Sequence, residues 1–173
     1  WWDGTQVVVR VRDSSGFSAL VFTVAGKISL CGVNEAGLAM CCNTVYQLDH
    51  SRDGLPEDFV VRGFLSQRTW QDGLAFLTGV RHASGQNYTI GAPGHGPLNV
   101  ECSSRGVAIE QLPPGGSSLV HTNHALRNMD QAIFRRDSAA MSSAQLRDWF
   151  GGTTHERMQA LEAARCQREP ATV

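Results

Sequence analysis

Gly26-Lys27-Ile28-Ser29-Leu30-Cys31-Gly32-Val33-Asn34-Glu35-Ala36-Gly37-Leu38-Ala39-Met40-Cys41-Cys42-Asn43 reads as a hairpin. Ile28 to Gly32 and Leu38 to Asn43 are strand-like runs. Between them, Asn34 and Gly37 occupy turn positions that tolerate positive φ. Upstream, Ser18 to Val24 is apolar on both faces and rich in branched and aromatic residues, which suits a central strand. Before it, Gln6 to Val11 sets Val7, Val9 and Val11 on one face and Val8 and Arg10 on the other, the pattern of a half-buried strand. Asp13-Ser14-Ser15-Gly16 and Gly26-Lys27 are the breaks. Four strands in a row with short turns predict an antiparallel sheet.

Downstream the period changes. From Pro56 to about Arg81 the apolar residues Phe59, Val60, Phe64 and Leu65, then Leu74, Phe76 and Leu77, follow helical spacing, with Pro56 suited to a first turn and Gly73 weakening the second half. Short strand-like pieces follow at Asn87 to Gly91, Leu98 to Cys102, Val107 to Gln111 and Ser118 to Thr122. The last third reads as helical. Ser142-Ser143-Ala144-Gln145 and Thr153-Thr154-His155-Glu156 both fit the capping-box spacing. Segregated runs of strands, helices, strands and helices predict one α+β domain over residues 1–173, with helices layered on antiparallel sheet.

The composition is that of a globular protein: 173 residues, 42% apolar and 18% charged. A net charge of −1 gives no reason to expect a nucleic-acid partner. No apolar run reaches the ~18 residues that a membrane span needs. The five cysteines, Cys31, Cys41, Cys42, Cys102 and Cys166, are odd in number and form no C-x-x-C, which predicts neither a disulfide framework nor a zinc knuckle. They point to a reducing, cytoplasmic setting, and Cys31, Cys41, Cys42 and Cys102 read as small core residues. Asn87-Tyr88-Thr89 matches a glycosylation acceptor. Trp1 where a Met is usual, and a strand within a few residues of it, predict a piece cut from a longer chain.

The most unusual string is His121-Thr122-Asn123-His124, which puts two imidazoles, a hydroxyl and a carboxamide at the end of an expected strand. Three readings stand. His121 and His124 could bind a metal, although in a strand they would face opposite sides and no Asp, Glu or Cys stands beside them. The polar groups could simply satisfy loop backbone. Or Asn123 could donate from its carboxamide to the oxygen that turns negative in acyl transfer, a contribution typically worth about 10²–10³ in turnover.

Taken in order, the strings resemble the acyl-coenzyme A:isopenicillin N acyltransferase-like group of N-terminal-nucleophile hydrolases. The matching features are the G-x-N-x-x-G-L-A hairpin ending in Asn43, Leu55-Pro56 leading to Arg62, Asn87 before a strand, Val100-Glu101 closing the next, and His121-Thr122-Asn123-His124. The resemblance runs from the first residues to about Arg165. It implies a four-layer αββα sandwich, here incomplete at both ends, and a precursor that cuts itself before a cysteine. That cysteine then serves as nucleophile, with its own free amine as base. Asn123 would be the oxyanion-hole residue, supported by His121, Thr122, His124, Asn43 and Glu101.

In the family the nucleophile lies shortly upstream of an N-W-D-like string. Trp1-Trp2 corresponds to the stretch after that Asp, or Trp2-Asp3 is the W-D itself. Either alignment places the nucleophilic Cys outside this chain, and a Ser/Arg string known downstream in the family falls beyond it too. The implied substrate is a small amide or acyl thioester, with no cofactor and no metal. The isolated chain is then expected to be inactive, and to need the rest of its precursor or another chain against its edges. The alternatives are a non-catalytic relative of the same fold and a metal-dependent hydrolase using His121 and His124.

Overall fold

The computed structural model describes residues 3–112, 118–149 and 153–168; the side chains of 147–149 and 166–168 lie outside the description. The expected reading of Trp1-Trp2 and the side chain of Cys166 therefore fall outside the described residues.

Seven strands form one antiparallel sheet in sequence order: β1 (Gln6–Arg12), β2 (Ser18–Val24), β3 (Cys31–Asn34), β4 (Ala39–Thr44), β5 (Gln86–Ala92), β6 (His95–Cys102) and β7 (Val107–Gln111). Helices α1 (Glu57–Leu65) and α2 (Trp70–Gly79) lie between β4 and β5 in the chain, and α3 (Ala132–Ser138), α4 (Ser143–Trp149) and α5 (Thr154–Arg168) follow the sheet. The α+β class is as the sequence predicts. The described residues supply one antiparallel sheet with α1 and α2 packed on one face of it.

Period-2 alternation sorts the sheet into two faces. One face gives Val21, Met40, Tyr88, Ile90, Leu98, Val100 and Cys102 to a core closed by Val60, Val61, Phe64 and Leu65 of α1 and Leu77 of α2. The two helices approach closely at Gly63, where any Cβ would run into the Phe76 ring. On the opposite face, Val8, Leu20, Phe22 and Val33 of β1–β3 are exposed, whereas β4–β6 carry polar side chains.

Three expectations need correction. The strand expected at Ile28 to Gly32 starts later, at Cys31, because the Ser29 hydroxyl donates to the Asp58 carbonyl and ties that stretch to α1. The single helical stretch expected from Pro56 to about Arg81 is two helices, broken at Ser66–Thr69, with Gly73 inside the second. Ser66 closes α1, and Thr69 opens α2 by accepting from the Asp72 N–H at 3.1 Å. Ser118 to Thr122 is no strand. Its polar groups bond outward instead, Val120 O accepting from Asn99 Nδ2 and Thr122 Oγ1 donating to the Thr154 carbonyl. The expected capping box at Ser142 does form: Gln145 N–H donates to Ser142 Oγ and Ser142 N–H to Gln145 Oε1.

Candidate active site

Register places Asn43 of β4, Asn87 of β5 and Glu101 of β6 side by side across three strands, on the face away from α1 and α2. Asn87 is fully buried there, so its sequon is closed to glycosylation in the folded chain. One step along, Thr89 donates to Asn99 Oδ1 at 2.7 Å, and Asn99 Nδ2 reaches Glu110 Oε2 at 3.2 Å.

Glu101 anchors the segment that carries the H-T-N-H string. Its Oε1 accepts from His121 Nε2 at 2.8 Å and from the Leu126 N–H at 2.6 Å; its Oε2 accepts from the N–H groups of Arg127 at 2.9 Å and Asn128 at 2.6 Å. Burial pushes this carboxyl up, but the His121 bond and the three backbone donors outweigh it and hold it below its ordinary value. His121 also turns Nδ1 to its neighbour's carbonyl, Thr122 O, at 2.6 Å. Both ring nitrogens thus lie within hydrogen-bond distance of oxygen atoms. The pair is almost wholly buried, at 1% and 2% side-chain exposure, so its worth rests on these saturating donors.

His124 is placed differently. Its Nδ1 sits 3.1 Å from Thr122 Oγ1 and 2.9 Å from Thr154 Oγ1, and its ring lies 4.0 Å from that of His155. Burial, then the neighbouring His155 and His121, bring His124 down to about 4, so it is neutral near pH 7. The two imidazoles thus tie their loop to β6 through Glu101 and to α5 through Thr154, and among the described residues no group of three His, Cys, Asp or Glu could hold a metal ion.

Asn123 is held from three sides. Its backbone N–H donates to Thr154 Oγ1 at 2.8 Å, its Nδ2 donates to the Thr44 carbonyl at 3.0 Å, and its Oδ1 accepts from an Arg157 Nη at 2.9 Å. Only one of the two Nδ2 hydrogens is used among the described residues. The residue lines a cleft of about 360 Å³ with Phe22, Lys27, Leu30, Cys31, Cys41, Cys42, Asn43, Thr44 and Glu57. A fixed carboxamide with a spare donor in such a cleft can stabilise a developing oxyanion.

The sequence singled out Asn123, His121, Thr122, His124, Asn43 and Glu101, and the structure gathers them at one end of β4–β6 and the loop that follows. Asn43 shares the cleft with Asn123, while Glu101 and His121 stand behind it as the loop's anchor. Thr44, Thr154 and Arg157 escaped the sequence reading. A partial signal lay in the T-T-H-E capping pattern, which marks Thr154 as a helix-start residue and no more.

The core role expected of all four cysteines holds for Cys102, in part for Cys42, and not for Cys41. Cys102 is buried, Cys31 and Cys42 are half-buried, and Cys41 is exposed, because β4 alternation turns it to the open face opposite Thr89. Burial raises every one of these thiols, with Glu57 adding to the rise at Cys42 and Glu101 at Cys102. The one S–H of Cys42 lies within reach of Glu57 Oε1 at 3.0 Å and of Leu30 O at 3.3 Å, acceptors that favour the thiol over the thiolate. Among the described residues no cysteine is set up as a nucleophile.

The family model described as acyl-coenzyme A:6-aminopenicillanic acid acyl-transferase matches residues 4–167. No curated protein sequence matches the chain. Among solved structures, a variant of conjugated bile acid hydrolase from Clostridium perfringens is similar at 12% identity and a TM-score of 0.46, over 79% of this chain and 49% of that one, so the chain spans about half that protein's length.

Proposed function

The chain belongs to the acyl-coenzyme A:6-aminopenicillanic acid acyl-transferase family, and from that premise we propose that it is the oxyanion-binding part of a cysteine amidohydrolase or acyltransferase. The nucleophile is an N-terminal cysteine contributed from outside these residues and freed by self-cleavage. Its thiol attacks the carbonyl carbon of a small amide or acyl thioester, and its own amine takes the thiol proton. The carbonyl oxygen becomes an oxyanion, to which Asn123 donates its spare Nδ2 hydrogen. The C–N or C–S bond breaks, and the leaving amine or thiol departs with that proton. Water or an acceptor amine then attacks the acyl-cysteine, giving an acid or a new amide and restoring the thiol.

The observation that carries this reading is the Asn123 carboxamide, with one hydrogen committed to Thr44 O and the other unused among the described residues, in a cleft of substrate size. Asn43 on the same wall and the Glu101–His121 anchor behind it support the reading, as does the raised state of the internal thiols. The apolar side chains of Phe22 and Leu30 suit an apolar acyl group, with the charged Lys27 and Glu57 at the same cleft.

The test is the N-terminus and intact mass of the expressed full-length protein, followed by turnover of a panel of small acyl amides and thioesters. A mature chain beginning with Cys that forms an acyl adduct supports the reading. An uncut protein that acylates nowhere identifies a non-catalytic relative of the same fold instead.

A further inference from the structure

We propose that Cys31 and Cys41 form a reversible disulfide site in the wall of the Asn123 cleft, closed by peroxide and reopened by thiols. The bond stands on strand geometry; only its effect on turnover rests on the function proposed above. At the turn end of the β3–β4 ladder, Asn34 N–H donates to the Leu38 carbonyl at 3.0 Å. Bonded and non-bonded pairs alternate along an antiparallel ladder. Gly32 and Met40 are then the next bonded pair, and Cys31 and Cys41 face each other one step beyond, at a non-bonded position. The outer neighbours agree. Glu35 N–H on Ser18 O sets the phase that turns the Cys31 main chain to Phe22 of β2, and Val45 N–H on Gly85 O sets the phase that turns the Cys41 main chain to Thr89 of β5. Non-bonded positions bring facing Cα atoms to about 4.5 Å, within the ~4.4–6.8 Å that a disulfide spans.

The two side chains share a face. Cys31 is opposite the exposed Phe22 and Cys41 is opposite Thr89, away from α1 and α2, and both line the cleft with Asn123. Cys42 turns the other way, to Glu57. The Cys41 sulfur is near enough to add to the rise of the Cys31 thiol, and burial raises both. Raised thiols make the first oxidation slow, and the facing partner makes its product a disulfide rather than a higher acid. Cys41, the more exposed, attacks one oxygen of hydrogen peroxide; the O–O bond breaks, water leaves with the thiol proton, and S–OH remains. The Cys31 sulfur then attacks that sulfur, the S–S bond forms, the S–O bond breaks, and a second water leaves with the Cys31 proton. The thiols lose two electrons and two protons, and a thiol reductant reverses the step by exchange. The β3–β4 pairing stops at Gly32 and Met40, where Ser29 is drawn to α1. The new bond therefore staples the sheet where the cleft opens, two residues from Asn43 on β4.

The experiment treats the full-length protein with hydrogen peroxide, blocks free thiols, and cuts the chain after glutamate without reduction. Cutting after Glu35 separates Cys31 from Cys41. The two peptides are expected to stay joined, two hydrogens lighter than their sum, and to part on adding dithiothreitol. They should also be joined in Cys42→Ser and separate in Cys41→Ser. KM for the best acyl amide is blind to molecules whose catalytic thiol has been oxidised. It is expected to shift roughly threefold or more in the peroxide-treated wild type, to return with dithiothreitol, and to hold steady in treated Cys41→Ser. Separate peptides from the wild type, or a link that persists through Cys42 in Cys41→Ser, would overturn the site. A link with unchanged KM would overturn its hold on the cleft. A reduced protein that turns over no acyl amide would remove the function proposed above, while the mass readout still decides the bond.

Discussion

Asn123 donates to the carbonyl of Thr44 at 3.0 Å, across 79 positions of sequence. The bond ties the H-T-N-H loop to the last residue of β4, and so places the carboxamide at the mouth of the cleft beside Asn43. The remaining functional groups of the loop are arranged to keep it there.

The first consequence concerns Glu101. Its carboxylate satisfies His121 and three backbone N–H groups in a buried setting. Glu101→Ala orphans the His121 ring and those three backbone donors in a buried setting, at a cost of about 3–5 kcal/mol in all. Glu101→Gln keeps the volume but replaces an acceptor oxygen by a donor, and is also expected to destabilise. Urea unfolding would measure both. A loss below about 1 kcal/mol in Glu101→Ala would mean that the loop does not depend on this anchor.

The same region sets an acid limit. His124 sits at about 4, below the ~6.5 of an unfolded histidine, because it is buried beside His155 and His121, with Arg157 adding to the effect and Glu101 opposing it. Between these values the unfolded chain binds the extra proton and the native chain does not. The stability that neutral His124 confers is therefore complete above pH ~6.5 and is lost as pH falls toward 4, up to about 3 kcal/mol. Glu101 acts in the same direction lower down, since its folded value lies below its unfolded one. Melting temperature against pH should fall over this window in the wild type and fall less in His124→Gln. Equal slopes in the two proteins would refute the assignment to His124.

Thiol reactivity follows from placement. Cys41 is exposed, whereas Cys102 is buried beneath the helices. Alkylation of the native protein should modify Cys41 well before Cys42 or Cys102, and slowly, because the groups packed around its sulfur partly desolvate it and raise its thiol. Peptide mapping by mass spectrometry would read the order. Rapid alkylation of Cys42 would contradict the raised, Glu57-bonded thiol seen there.

Packing gives one further test, at Gly63. A side chain there meets the Phe76 ring where α1 and α2 come together. Gly63→Val should destabilise by about 1–3 kcal/mol through overpacking, and Gly63→Val with Phe76→Leu should recover part of it. No recovery would mean that the two positions do not share the contact.

Much of the fold was legible because it is written locally. The Val7-Val9-Val11 alternation, the Asp13–Gly16 turn and the Asn34–Gly37 turn, with Gly37 at a φ of +84°, are short-range patterns, and the strands they predict are present. The misplacements arose where a distant group intervened. Ser29 is drawn to Asp58, and Val120 and Thr122 to Asn99 and Thr154, all beyond the reach of any periodicity. Cys41 shows a different limit. An apolar run reads as buried on both faces, yet β4 leaves this side chain exposed. At the site, Asn123, His121 and Glu101 stood out through an unusual string and a family likeness. Thr44, Thr154 and Arg157 are ordinary residues in ordinary contexts, and only the fold brings them to Asn123.

The most direct measurement is the rate of acyl-enzyme formation in full-length Asn123→Ala, followed by quenched mass spectrometry beside the wild type. The account predicts a wild-type chain that acylates on an N-terminal cysteine and a variant that folds normally but acylates about 10²–10³-fold more slowly. Acylation of Asn123→Ala at the wild-type rate would contradict it.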